Sequence, residues 1–195
     1  MRTHTLIAST LFGLVLVGCA GTPTVFNKNE QRSLEAIALF SSNGSPQFST
    51  YMACTSDDQS CTTVNKVFSE WSNDRDVTLH LVDDDDSFFK DGARASNGDT
   101  GKPYRLGFKI HPHVTPSTFT WNGGTSSQGG STPPRVGYKA EIYVYDAHGV
   151  LLQEIPVHQE LTAKQHDLAN GYIQSEMDQL LSSIDPRYRG RQAGS

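Results

Sequence analysis

The stretch VGYKAEIYVYDAHGVLLQEIPVHQ, residues 136–159, reads as two strands and the turn between them. Val136, Tyr138, Ala140, Ile142 and Val144 alternate with Lys139, Glu141, Tyr143 and Tyr145. Side chains on an extended chain point to opposite faces in turn, so the first set faces a core and the second faces solvent. Asp146-Ala147-His148-Gly149 interrupts the alternation with a glycine that accepts positive φ, the chemistry of a hairpin turn. VLLQEIPVHQ then returns antiparallel, and Pro156, which has no N–H to give, places this strand at a sheet edge or at its own end.

Working outward, PYRLGFKIHPH (103–113) repeats the alternation, with Tyr104, Leu106, Phe108 and Ile110 on one face and Arg105, Lys109 and His111 on the other. The Gly/Ser/Thr/Pro-rich insert of residues 122–135 separates it from the hairpin and is expected to stay irregular and mobile. Upstream, TTVNKVFSEW spaces Val64, Val67, Phe68 and Trp71 at i, i+3, i+4 and i+7, one face of an amphipathic helix capped by Thr62 or Thr63 and ended at Asn73-Asp74. DVTLHLVDD follows as a strand through Val77, Leu79 and Leu81. The apolar run Ala36–Phe40 in SLEAIALFSS reads as a buried strand, with helix as the competitor, and the segment from Asn43 through the cysteine pair reads as a long polar loop. A first strand, helix and second strand make a β-α-β unit with parallel strands. Near the C-terminus, Leu168, Tyr172, Ile173, Met177, Leu180, Leu181 and Ile184 form one helical stripe; Thr162 and Gln165 offer a capping box, and Pro186 ends the helix. The fold class is therefore α+β: a mixed or mostly antiparallel four- to five-stranded sheet packed by two amphipathic helices.

The N-terminus has a different character. Arg2 precedes an uncharged apolar stretch, Leu6–Val17, too short for a transmembrane helix and typical of an export signal. Leu16-Val17-Gly18-Cys19 resembles the bacterial lipobox. The resemblance implies cleavage before Cys19 and lipidation of that cysteine, so that the protein meets the membrane through its N-terminal lipid. Ala20 in place of aspartate implies the outer membrane, facing the periplasm. The domain plan is a signal peptide at 1–18, a flexible tether at 19–33 reaching ~40 Å, a single periplasmic α/β domain at 34–186 and a disordered basic tail at 187–195. With Cys19 carrying lipid, Cys54 and Cys61 remain as a pair with six residues between them; an oxidising compartment favours a local disulfide over free or metal-bound thiols.

No motif for catalysis stands out. The chain has no G-x-S-x-G elbow, and GGTSSQGG lacks the Lys-Ser/Thr ending of a phosphate loop. Asp83, Asp84, Asp85 and Asp86 suggest calcium, but an EF-hand starting at Asp83 would need glycine where Phe88 stands and glutamate where Arg94 stands. A solvated acidic loop, a Ca²⁺ site and a carboxylate pair remain as readings. His111 and His113 fall on one face of a strand and form a weak zinc or copper candidate, short of the three or four ligands zinc takes. The formal charge of −5, or −6 once Arg2 leaves with the signal peptide, argues against a nucleic-acid partner, and no cofactor or small-molecule substrate is evident.

LEAIALF as first strand, VNKVFSEW as helix, VTLHLV as second strand and YKAEIYVYDAHGVLL as hairpin together resemble, in layout, the penicillin-binding-protein activator lipoproteins and the N-terminal domain of the Tol-system propeller protein. That likeness is one of layout and does not give function; the anchor, the mobile loops and the lack of a catalytic motif point to a non-enzymatic interaction or accessory module in envelope assembly or secretion, with an envelope protein as partner. Two alternatives stay open. One is an immunity or inhibitor lipoprotein whose acidic loop plugs a hydrolase; the other is a metal-binding protein.

Overall fold

The computed structural model describes residues 25–56, 59–90, 101–115, 117–120, 130–133, 135–162 and 169–190. In chain order the elements are α1 (Lys28–Ala36), β1 (Phe48–Cys54), α2 (Ser60–Arg75), β2 (Leu79–Leu81), α3 (Ser87–Lys90), β3 (Tyr104–Thr115), β4 (Thr118–Thr120), β5 (Gly130–Thr132), β6 (Arg135–Asp146), β7 (Leu151–Thr162) and α4 (Ala169–Ile184). The fold is α+β. The main sheet runs β2-β1-β3-β6-β7, and β4 pairs with β5 in a separate two-stranded arm. β1 is parallel to both β2 and β3, while β3, β6 and β7 are antiparallel to one another.

The β6–β7 hairpin forms as its sequence dictates. The Asp146 side chain accepts from the backbone N–H groups of His148 and Val150, each at 2.8 Å, and Gly149 takes φ 78°. Pro156 lies on β7, the edge strand. Val136, Tyr138, Ala140, Ile142 and Val144 are all buried, as the alternation requires. With Leu106, Phe108 and Ile110 of β3 they make one sheet face, against which α2 and α4 lay Val64, Val67, Phe68, Trp71, Ile173, Met177, Leu180 and Leu181. Phe68 meets Phe108 edge-on at 5.1 Å, and Trp71 stacks on Phe48 at 6.1 Å. Each fully buried side chain of this size contributes about 1.5–3 kcal/mol before chain entropy is set against it.

One polar group is built into this helical layer. The Asp185 carboxylate, fully buried just past α4, accepts from Trp71 Nε1 at 3.2 Å, Arg75 Nε at 2.6 Å and the Arg187 N–H at 3.0 Å. Arg75 also donates through Nη2 to the Gly44 carbonyl at 2.9 Å. Two helices and the loop before β1 are thereby tied to one carboxylate.

Several sequence expectations are corrected. The run LEAIALF is not the first strand: residues 28–36 are helical, Ala38 turns left-handed at φ 49°, and Phe40 makes one isolated bridge to Pro46. The helix starts from a capping box, in which Asn27 Oδ1 accepts from the N–H of Asn29 and Glu30 while Glu30 Oε2 accepts from the Asn27 N–H at 2.9 Å. Residues 28–33, assigned to the tether, thus belong to the folded body. That body reaches back to Val25, whose N–H donates to Ser183 Oγ at 3.1 Å, and to buried Phe26.

The first strand is instead FSTYMAC, residues 48–54, from the segment read as loop. It is flanked by strands on both sides and buried on both faces, including Ser49 and Thr50, so it shows no alternation. The β-α-β unit is real, formed by β1, α2 and β2. α2 begins at Ser60, ahead of the expected caps Thr62 and Thr63, and ends at Arg75 with Asp76 left-handed. The insert is not wholly irregular, because Gly130–Thr132 pairs with Thr118–Thr120 and Arg135 already belongs to β6. The β3–β6 ladder runs out to the pair Thr115 and Arg135. The tail is ordered through Tyr188, which is buried and donates to Asp178 at 2.6 Å. The signal peptide, Cys19, residues 122–129, Gln165, Leu168 and residues 191–195 lie outside the described residues.

Candidate functional site

The second face of the sheet, turned away from α2 and α4, divides into two halves. One half is covered by α3. Phe88 inserts between Tyr51 of β1, stacked at 4.0 Å, and Tyr145 of β6, edge-on at 5.4 Å. His80 stacks on Tyr51 at 4.5 Å. Gly107 makes the docking possible: a Cβ there would lie 2.6 Å from Phe88 Cε1 and 3.0 Å from Phe89 Cε1. Tyr143 donates to Glu141 at 2.6 Å. Burial first, and then that carboxylate, push the Tyr143 phenol well above its usual range; burial and Glu154 raise Tyr145. Both phenols stay protonated within an aromatic platform.

The other half is open and forms a trough of about 510 Å³ lined by Thr55, Ser56, His111, Pro112, His113, Lys139, His158 and Glu160. Strand register builds it. His111, Lys139 and His158 lie directly opposite one another on β3, β6 and β7; His113, Gly137 and Glu160 form the next row. Neighbouring strands are ~4.8 Å apart, so each row spans ~10 Å between its outer members. Gly137 leaves the floor of the second row low, since a Cβ there would meet the Gln159 carbonyl oxygen at 2.2 Å and His113 Cε1 at 3.1 Å. The rim next to β1 is fixed by the Thr55 N–H donating to the Ile110 carbonyl at 3.0 Å and by a disulfide from Cys54 to Cys61 at the start of α2. Glu160 pairs with Arg135 at 3.2 Å and faces His158 Nε2 at 3.9 Å.

Among the described residues β7 pairs with β6 alone, and its outer edge borders the trough. The Ile110 carbonyl accepts from β1-side Thr55 and the Asp146 N–H donates across to Val150, which fixes the alternation of backbone direction through β3, β6 and β7. By that parity the backbone groups of Glu154, Pro156, His158 and Glu160 point outward, and only Pro156 lacks an N–H there. Leu151, Leu152 and Leu161 on this strand, and Val150 beside it, are exposed large apolar side chains.

Of the residues singled out in the sequence, Cys54 and Cys61 are joined as expected, with Cα atoms 5.6 Å apart. His111 and His113 do share a face, in the trough. The four aspartates do not converge: Asp84 lies 3.4 Å from Lys109, Asp85 lies 3.7 Å from Lys90, and Asp86 accepts from the Phe88 N–H at 2.7 Å. Among the described residues no three His, Cys, Asp or Glu side chains are placed to hold a metal ion. Reading single strands could not find the trough. Lys139 looked like one outward residue among several and His158 like a scattered histidine; the register of three strands aligns them.

No protein-family model and no curated protein matches the sequence. Among solved structures, the crystal structure of a protein described as a neuraminyllactose-binding hemagglutinin homolog from Helicobacter pylori aligns at 7% identity over 69% of this chain and 78% of that one, with a TM-score of 0.36. A likeness that distant carries no argument about the site. Among the described residues no helix is long and apolar enough to cross a membrane.

Proposed function

We propose that the protein is an outer-membrane-anchored, periplasm-facing lipoprotein, held by lipid on Cys19, that works as a non-enzymatic accessory module by docking an envelope protein along β7. The outer edge of β7, which no other described strand pairs with, carries this reading. It is a twelve-residue strand with outward backbone groups and exposed Leu151, Leu152 and Leu161. Such an edge is a template for another chain's strand, and the exposed leucines at its two ends offer apolar contacts beside it. Pro156 removes one donor, which confines pairing to the strand halves on either side and limits indiscriminate edge-to-edge association. Anchoring is supported by distance and compartment. From Cys19 to docked Val25 the chain can span only ~20 Å, which would keep the domain close to the bilayer. The Cys54–Cys61 disulfide suits an oxidising periplasm.

Two measurements test this together. Metabolic labelling with palmitate is expected to label the wild type and not Cys19→Ser. A photo-crosslinker placed at Leu152 in living cells is expected to trap one discrete envelope protein, with the adduct lost in Leu151→Glu/Leu161→Glu. Equal labelling of both proteins would overturn the anchor; no adduct, or one indifferent to the leucine changes, would overturn the docking edge.

A further inference from the structure

We propose that the trough on the open sheet face binds a phosphate group. The chain as a whole is acidic, with formal charge −5, yet this concavity is lined almost entirely by donors: three imidazoles, the Lys139 ammonium and the Thr55 hydroxyl. Glu160 is the one carboxylate in the lining, and Arg135 holds it at 3.2 Å. Among the described residues Lys139 has no carboxylate within ion-pair distance, so the uncompensated charge in the trough is positive. Lys139 stands at the centre of its row, between His111 and His158, and His113 adds a donor from the row beside it, over the floor that Gly137 leaves open.

The donor types select the anion. A planar carboxylate is best matched by the two-pronged guanidinium of arginine, and no arginine is among the residues that line the trough. A lysine point charge surrounded by single donors from several directions fits the tetrahedral oxygens of phosphate. The volume of about 510 Å³ accommodates more than the bare ion, so the phosphate is read as one end of a larger molecule, either a soluble phosphate ester or a lipid headgroup. Phosphate binding in the trough requires neither the lipid anchor nor a partner docked on β7.

The test is NMR of the histidine side chains in the full-chain protein, titrated with inorganic phosphate and glycerol phosphate at constant ionic strength set by chloride. His111, His113 and His158 are expected to shift saturably with both. Lys139→Ala, a surface change, is expected to weaken the response about tenfold or more, the loss typical of a charge-assisted contact; Lys28→Ala, on α1, is expected to leave it unchanged. Vesicles of phosphatidylglycerol, with phosphatidylcholine vesicles as control, separate the sources: competition specific to phosphatidylglycerol assigns a headgroup, and its absence assigns a soluble ester. Shifts that chloride reproduces, shifts unaltered in Lys139→Ala, or acetate binding as tightly as phosphate would each overturn the proposal.

Discussion

Replacing Asp185 with alanine tests the account of how the helical layer is held. The carboxylate is fully buried and takes three donors, from Trp71, Arg75 and the Arg187 backbone. Removing it leaves the Trp71 indole N–H without its acceptor, at ~1–3 kcal/mol. It also strands the Arg75 guanidinium. Breaking a buried pair costs about 3–5 kcal/mol, and here the lower end applies, because the Arg75 side chain keeps 18% exposure and its bond to the Gly44 carbonyl. The two losses overlap, so the expected cost is ~3–4 kcal/mol, a fall in Tm of about 6–15 °C for a domain of this size. Asp185→Asn keeps the shape and the acceptor for Trp71, loses the charge, and should cost ~1–2 kcal/mol. Urea unfolding followed by tryptophan fluorescence gives these values, and a cycle of Asp185→Asn with Arg75→Met should return a coupling of ~1–2 kcal/mol. An alanine cost below ~1 kcal/mol, or additive single changes, would mean that this carboxylate does not hold the helical layer.

Gly107→Ala should dislodge α3 from the outer face, because the new methyl would sit 2.6 Å from a ring held between Tyr51 and Tyr145. Overpacking of this kind costs about 1–3 kcal/mol, and limited proteolysis should cut faster near residue 90; unchanged cleavage and stability would contradict the tight fit. Glu176, on α4, has its carboxyl raised above the ordinary 4.5 by burial, opposed by a hydrogen bond from Tyr172, whose phenol is pushed up to about 12. The folded state therefore holds the Glu176 proton more tightly than the unfolded chain does. Its contribution to stability is full below pH 4.5 and is lost as pH rises through the folded value. Glu176→Gln should raise stability at neutral pH and flatten its decline above pH 4.5, and melts with parallel pH profiles for both proteins would rule this out.

The sequence alone was enough where a long element repeats its apolar side chains along one buried face. β3, β6 and α2 each bury one face and wet the other, so their apolar residues recur at the period of the backbone. The β6–β7 turn was legible because Asp146 and Gly149 carry its geometry locally. The cysteine pair was legible from spacing. Tertiary structure decided the rest. β1 hides both faces and so has no period to read, while α1 buries little beyond Leu34 and rests on its cap. Tyr145 has the alternation of an outward residue, and becomes buried because α3 closes over it. The trough exists in no single segment: His111, Lys139 and His158 lie in three strands, and they meet because hydrogen-bonded register, which depends on all of the strands at once, sets them side by side.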